Sequence, residues 1–578
     1  MATIGRSPIL FFVTSPRTPW RFIPELELLN RVCSGKQWNQ STQTEFMTSL
    51  VNEDFYMGSK SLKDPALSAR DRINRAPKAY GFVKLNPFVE ITGAGQVLLT
   101  SPQYIQEEVL LRQLLKFQLP SVYHNQTAGS TTNFRVKPFL EILRLIDYFG
   151  ILTFDEVSLF GMQLTDYRKF DSICNKIKKF RELKLNSVSF GGYKRFYADY
   201  TQRELTELFH DDIVNGRTYT RESEDGSIEK FLKVKKNNLR DYTDACFRYL
   251  CATNYVMISQ SHRSIEIAPD KKNAVKFLLQ IINPEPCYVD DIDSYENYLY
   301  NPNIPLLYND DKGNLIKNIS NLFHLDLIDR YELAKESIWK LKEIEHYLLN
   351  KRKDAILTNQ VASIKNFEQF DDILDVFTKI KNKEYLDNPL QFEWNTWRAM
   401  TMLDGGYVQA NLKFDNYGNP VSTAAGNKAD IVCDYGDFCV NVEVTLQGGH
   451  KQYESEGEPV ARHVGQQSAR SNKPTFCLFI APSISQATYA HFYVLYKVNV
   501  DFYGGFSNII PLTLDTFQHM IRNCRAVDYI PEPQHIKALF DIARQLSNQT
   551  SNETEWFNKI NDIAKNWLSI PLTHVDKG

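Results

Sequence analysis

Polar and apolar positions alternate most regularly between Ala429 and Thr445. Ala429 to Cys433 is rich in β-branched residues, Asp434-Tyr435-Gly436-Asp437 has the composition of a turn, and Phe438 to Thr445 is a second extended run. Together they predict a β-hairpin. Side chains alternate along a strand, so Val440, Val442 and Val444 share one face while Asn441, Glu443 and Thr445 share the other. Glu443 therefore points away from the apolar face. Upstream, Pro389 to Leu403 is amphipathic with helical spacing and carries Glu393. Downstream, Gly448 to Gly457 reads as a mobile stretch and Arg462 to Arg470 as a helix. Thr475 to Ala481 then reads as a fully buried strand, Tyr489 to Tyr496 as a helix and Asn508 to Leu514 as another strand. That order predicts an α/β sandwich.

The front of the chain has a different texture. Ala69 to Tyr80 is a basic helix followed by Gly81 to Leu85 and Val89 to Gly95, which read as strand, turn and strand start. A second such stretch runs from Val136 to Thr153, where Thr153 ahead of Asp155-Glu156 is a helix start, and a third from Tyr242 to Ile267. Each suggests a winged helix, and helix-turn-helix relatives serve DNA by placing one helix in the major groove. Asn318 to Lys383 is dominated by helical periodicity and mixed charge, a spacer of two or three helices. Pro302 and Pro305 mark the boundary before it, because proline discourages continuing secondary structure. The expected organisation is multidomain α/β. Residues 1–305 form a recognition region of two or three winged-helix-like subdomains, 306–385 a helical linker and 386–578 a catalytic α/β domain.

Composition narrows this picture. At 578 residues, 43% hydrophobic and 13% aromatic, the chain can build three or four domains with real cores. No apolar run reaches the 18 residues of a membrane span, and the start lacks the pattern of a secretory signal, so an intracellular protein is expected. The nine cysteines lack the close paired spacing of a zinc site and read as reduced core residues. The net charge of −2 hides an asymmetry: residues 1–200 carry 26 Lys and Arg against 18 Asp and Glu, while the remainder is acidic. Such a split suits a module that meets phosphate backbone, followed by an acidic metal-binding module.

Asp430 and Glu443, with twelve residues between them, would meet at the ends of paired strands. Two such carboxylates can hold Mg²⁺ and leave room for water and phosphate. Glu393 is a third acid able to reach the same ion. A carboxylate inside an apolar strand costs several kcal/mol unless a cation or hydrogen bonds offset it. Lys451 reads as solvated. Gly448-Gly449 lacks the Lys-Ser/Thr of a phosphate-binding loop, so ATP-driven action is not expected. Among the basic residues, Arg70, Arg72 and Arg75 with Lys78 are candidates for DNA contact. Arg bonds guanine O6 and N7 bidentately, whereas Lys mainly meets phosphate. Lys176, Lys178, Lys179 and Arg181 read as a solvated helix face.

Asp430, twelve residues and then Glu443-Val444-Thr445 resembles the PD-(D/E)XK nuclease motif. The stretches Ala424 to Asp430 and Glu456 to His463 resemble the AlwI family of type IIS restriction and nicking endonucleases. Phe11 to Leu28, Asp64 to Arg72 and Tyr80 to Phe82 look like the N-terminal half of its MlyI, PleI and BstNBI group. The resemblance implies a Mg²⁺-dependent (one or two ions) endonuclease of double-stranded DNA that cuts a few base pairs outside an asymmetric five-base site. It further implies one catalytic site per chain, a monomer with transient dimerisation on DNA, and a prokaryotic cytoplasm. It puts Glu458 and His463 near the site and Arg17 near DNA. One departure stands out, since Thr445 occupies the place of the motif's lysine. Three rivals follow: a structure-specific repair nuclease, a DNA-binding regulator with an inactive nuclease domain, and a partner-binding scaffold.

Overall fold

The computed structural model describes the chain apart from residues 1, 4–6, 17–18, 54, 57–61, 126–133, 186–189, 221, 260–263, 386, 404–406, 425–427, 528–530 and 573–578. It divides into two compact units, Met1–Leu348 and Leu349–Gly578.

In the first unit, helix α1 (Pro65–Ile73) starts where Asp64 accepts from the Leu67 N–H and Pro65 takes a first-turn position that needs no donor. The strand expected at Val89 to Gly95 holds only for Glu90–Ile91, which pairs antiparallel with Val83–Lys84. From Gly93 the chain is helical, because the Thr92 hydroxyl caps Gly95 N–H and starts a turn. Helix α2 (Pro138–Phe149), strand β1 (Ile151–Thr153) and helix α3 (Phe154–Leu159) follow one another. Thr153 and Glu156 form the capping box that the sequence suggests. Helix α4 (Ile228–Cys251) then leads to β2 (Val256–Ile258) and β3 (Ser264–Ile267). These strands form one antiparallel sheet of order β1-β3-β2, so the second and third stretches read separately in the sequence share a sheet. Periodicity is local and could not show that β1 pairs with a strand more than a hundred residues on.

The expected spacer is helical throughout. It contains Lys312–Phe323, Leu327–Lys335, α5 (Ile338–Lys365) and α6 (Phe370–Lys381), four helices rather than two or three.

In the second unit, α7 (Asn388–Met402) is started by Asp387, whose carboxylate accepts from Leu390 N–H at 3.1 Å. The sheet comprises β4 (Tyr407–Ala410), β5 (Ile431–Asp434), β6 (Cys439–Val444), β7 (Thr475–Ala481) and β8 (Asn508–Thr513), in the order β8-β7-β6-β5-β4. The hairpin β5-β6 has the register Ile431↔Val442 and Asp434↔Cys439. β6, β7 and β8 are parallel, which requires helical crossovers. α8 (His450–Ser471) supplies the first and α9 (Gln486–Leu495) the second. Helices α10 (Leu514–Val527), α11 (Pro533–Gln549) and α12 (Glu553–Ala564) complete a core that includes Phe517, Phe540 and Trp556.

Two expectations change here. α8 begins at His450, so Gly448 to Gly457 is mostly ordered helix rather than a mobile stretch. The helix runs on through Gly457 and Pro459 because Gln452, Val460, Ala461 and Val464 are buried, and that packing outweighs one missing N–H donor. Gln452 also ties down the helix start, donating to the Gln447 and Ser483 carbonyls and accepting from Ser485 N–H. Secondly, the polar face of β6 is not open to water, since Asn441, Glu443 and Thr445 are all buried. β6 lies between two strands and beneath α8, so both its faces are covered.

Gly465 is where α8 approaches the Asp501–Tyr503 turn, and a Cβ there would lie 2.5 Å from the Tyr503 carbonyl oxygen. Gly465→Ala is expected to destabilise the second unit by about 1–3 kcal/mol through overpacking, read as a lower urea midpoint. An unchanged midpoint would show that the turn yields freely.

None of the nine cysteines is in a disulfide. Among the described residues no helix is long and apolar enough to cross a membrane.

Candidate active site

Continuing the hairpin register by one residue places Asp430 opposite Glu443. Directly opposed residues of an antiparallel pair project to the same face, with Cβ atoms about 4.5–5.5 Å apart. Asp430 is fixed there by its own backbone neighbours: its carbonyl accepts from Asn411 N–H at 3.0 Å and its carboxylate from Val444 N–H at 2.9 Å. Glu443 is 6% exposed and hydrogen-bonded to His463 Nδ1 at 2.8 Å. Glu393, 8% exposed on α7, accepts from Ala424 N–H at 3.0 Å.

A fourth acid joins them. Glu456 lies seven residues before His463 on α8, two helical turns along the same face, and its carboxylate is hydrogen-bonded to Thr445. The sequence reading overlooked it in favour of Glu458. The helical phase was the missing signal: with α8 begun at His450, Glu456 and His463 face the sheet, whereas Glu458 is exposed and pairs with Arg462 at 3.0 Å. Glu458 therefore stands outside the buried cluster. Lys451 is exposed, as expected.

Electrostatics shows how tightly the acids are grouped. Burial, then repulsion from Asp430, pushes the Glu393 carboxyl up to about 9. Burial and the neighbouring Glu443 hold Asp430 well above the carboxylate range, and burial with Glu456 and Glu393 does the same to Glu443. Burial also raises Glu456. His463 is pushed down to about 4 by burial and by Arg462, so its contact with Glu443 is a hydrogen bond between a neutral imidazole and the carboxyl group rather than an ion pair. Like charges that each raise another's pKa constitute a site short of positive charge. Clustered oxygen donors of this kind suit a hard divalent cation such as Mg²⁺. Among the described residues no group of three or more histidine, cysteine, aspartate or glutamate side chains stands close enough together to hold a metal ion as they are placed.

The basic residues singled out in the first unit are engaged within the protein. Arg70 donates to Gln43 at 2.8 Å, Arg72 pairs with Glu25, and Arg75 pairs with Asp71 at 2.9 Å. Lys78 lies 4.7 Å above the Tyr123 ring, and burial pushes its pKa down. Arg17 lies outside the described residues. The run from Lys176 is less free than a solvated face: Lys176 meets Glu204, Lys178 the Tyr148 hydroxyl and Arg181 Glu156.

Nothing among the curated proteins matches the chain. Among solved structures, the small subunit (R.BspD6I2) of the heterodimeric restriction endonuclease R.BspD6I matches 34% of this chain and 95% of its own, at 26% identity and a TM-score of 0.28. The family model described as AlwI restriction endonuclease matches residues 79–520, a span that holds Glu393, Asp430, Glu443, Glu456 and His463. With that match over most of its length, the chain belongs to the AlwI restriction endonuclease family.

Proposed function

We propose that the protein is a type IIS restriction endonuclease that hydrolyses a DNA phosphodiester with Mg²⁺ a few base pairs outside an asymmetric site, using one catalytic site per chain. The observation that carries the reading is the grouping of the buried Glu393 and Glu443 with the half-buried Asp430 and Glu456, each raised in pKa by desolvation and three of them by another acid. An uncompensated cluster of this kind is costly to keep unless a cation or a proton neutralises it.

Asp430, Glu443 and Glu393 would hold the ion, with Glu456 beside them. Bound Mg²⁺ supplies charge neutralisation on the phosphate and a more acidic water. The protein's own residues do the rest. The Val444 N–H orients Asp430, His463 orients Glu443, and Ala424 N–H orients Glu393. Thr445, which stands where the general motif has lysine, orients Glu456 through its hydroxyl. Glu456 and the neutral His463 are then the groups able to accept a proton from the attacking water, the task a lysine has elsewhere.

The organisation proposed is a recognition region over 1–305, a helical linker over 306–385 and a PD-(D/E)XK-like nuclease domain over 386–578. The sheet order β1-β3-β2, with α2, β1 and α3 followed by three further helices (Phe170–Lys184, Phe190–Leu208 and His210–Val214) before α4 leads into the paired β2 and β3, supports a winged helix enlarged by those three helices in the recognition region. One site cuts one strand, so double-strand cleavage would need a second molecule, and a weakly associating monomer would nick. The absence of the motif lysine keeps one second reading, a DNA-binding regulator whose nuclease domain is inactive.

The test is incubation of purified protein with supercoiled plasmid and Mg²⁺, followed by sequencing of the ends. Discrete ends at a fixed distance from one asymmetric motif are expected. Specific binding with no cutting in Mg²⁺ would favour the regulator, and ends without a motif would favour a repair nuclease.

A further inference from the structure

If Arg70, Arg72, Arg75 and Lys78 are occupied by partners within the protein, another surface of the first unit is needed to meet DNA. The geometry points to α4 as the helix that enters the major groove of duplex DNA, with Asn237 reading a base edge and Lys230 and Lys233 holding phosphates. This rests on the reading of the chain as a DNA endonuclease and goes beyond it by naming the surface that recognises the duplex.

Three observations carry it. α4 is the last helix before the β2-β3 pair, and its inner face is buried through Phe231, Leu232, Val234 and Leu239. Its outer face exposes Glu229, Lys233, Asn237 and Asp241, with Lys230 and Arg240 half-buried beside Lys233 and Asn237 at helical spacing. Lys233 and Asn237 are exposed and make no side-chain hydrogen bond or ion pair among the described residues. An amide is a poor choice for a merely solvated helix surface, since Asn has low helix propensity, and α4 has two in succession at Asn237 and Asn238. The Asn amide matches adenine N6 and N7 bidentately, and the flanking lysines complement phosphate charge.

Size and surroundings agree. Lys230 to Arg240 spans about 15 Å of helix at 1.5 Å per residue, enough to cross a major groove about 12 Å wide. The stripe is also held rigidly: Arg240 lies 3.6 Å from Asp155 and 5.1 Å above the Phe154 ring, while Lys236 lies over the Tyr197 ring on the packed side. Asp241 and Asp244 limit the basic stretch at its C-terminal end, and Asp244 is paired with Arg248.

The experiment compares the full chain with Lys230→Ala/Lys233→Ala and with Asn237→Ala, where Lys233 and Asn237 are exposed and Lys230 is half-buried outside the packed face of α4, so folding should persist. Binding to a random-sequence duplex is measured without Mg²⁺ across a salt series, and plasmid ends are sequenced after incubation with Mg²⁺. The double lysine variant should bind every duplex more weakly and lower the slope of log affinity against log salt by about two. Asn237→Ala should bind random duplex as the parent does, lose roughly tenfold or more on its cut motif, and relax that motif at one base pair. Parental slope, affinity and motif in both variants would overturn the assignment to α4 while leaving the endonuclease reading intact. Parental protein that binds DNA through the lysines yet never cuts would instead leave the α4 surface standing and overturn the nuclease.

Discussion

Asp430→Asn and Glu443→Gln should each lower plasmid cleavage in Mg²⁺ by at least about a thousandfold, the scale of losing several kcal/mol of transition-state charge stabilisation. Binding of duplex DNA should change less than about twofold, because the readers proposed for DNA lie in the other unit. The amide variants are sharper tools than alanine. Asn at 430 can still accept from Val444 N–H, and Gln at 443 can still meet His463, so shape and hydrogen bonds persist while the charge goes. Removing a charge from a site where burial and neighbouring acids already disfavour it should not destabilise the fold, so lost cutting could not be blamed on unfolding. Glu456→Gln belongs to the same test. Cleavage at the parental rate by any of the three would remove that residue from the site.

The hairpin that carries Asp430 and Glu443 was legible because its signal is local: alternation over eight residues, a turn of Asp and Gly, and β-branched flanks. β7 matched to the residue, Thr475–Ala481, for the related reason that a buried parallel strand reads as an unbroken apolar run. Glu393 was found on its amphipathic helix, although nothing local could show that the chain turns back through Ala424 to hold it. Glu456 was not singled out because Gly448 to Gly457 read as a mobile stretch with no helical phase, whereas the packing of Val460, Ala461 and Val464 against a sheet that no local window contains makes it helix from His450. The same limit explains the first unit. The partners of Arg72 and Lys78, Glu25 and Tyr123, lie 47 and 45 residues away in sequence, beyond the reach of any periodicity. Which of these arginines and lysines also meet a partner inside the protein is decided by residues that no local window contains.

The acid cluster should also govern how the metal-free protein responds to pH. Glu393 titrates at about 9 in the folded chain and near 4.5 when exposed. A carboxyl whose folded pKa is raised binds its proton more tightly in the folded state. Its contribution to stability is therefore fully present below about pH 4.5 and is lost as pH rises through about 9. In EDTA, the thermal midpoint of the parental protein should fall between pH 7 and pH 9, by an amount set by a free energy on the order of a few kcal/mol. His463, pushed down to about 4, works in the opposite direction only below its ordinary range, which is why the comparison starts at pH 7. Glu393→Gln removes one titrating acid, so the variant should hold a higher midpoint than the parent at pH 9 in EDTA, with a flatter profile. Mg²⁺ should reverse the order. Neutralisation by a bound ion stabilises the folded chain, and it does so most at high pH, where no proton has to be displaced from the ligands. The parent should therefore gain more from Mg²⁺ at pH 9 than at pH 7, and more than Glu393→Gln gains at either. Equal Mg²⁺ shifts in parent and variant would mean that Glu393 does not face the ion, and a variant less stable than the parent at pH 9 in EDTA would mean that its carboxyl is not held against repulsion at all.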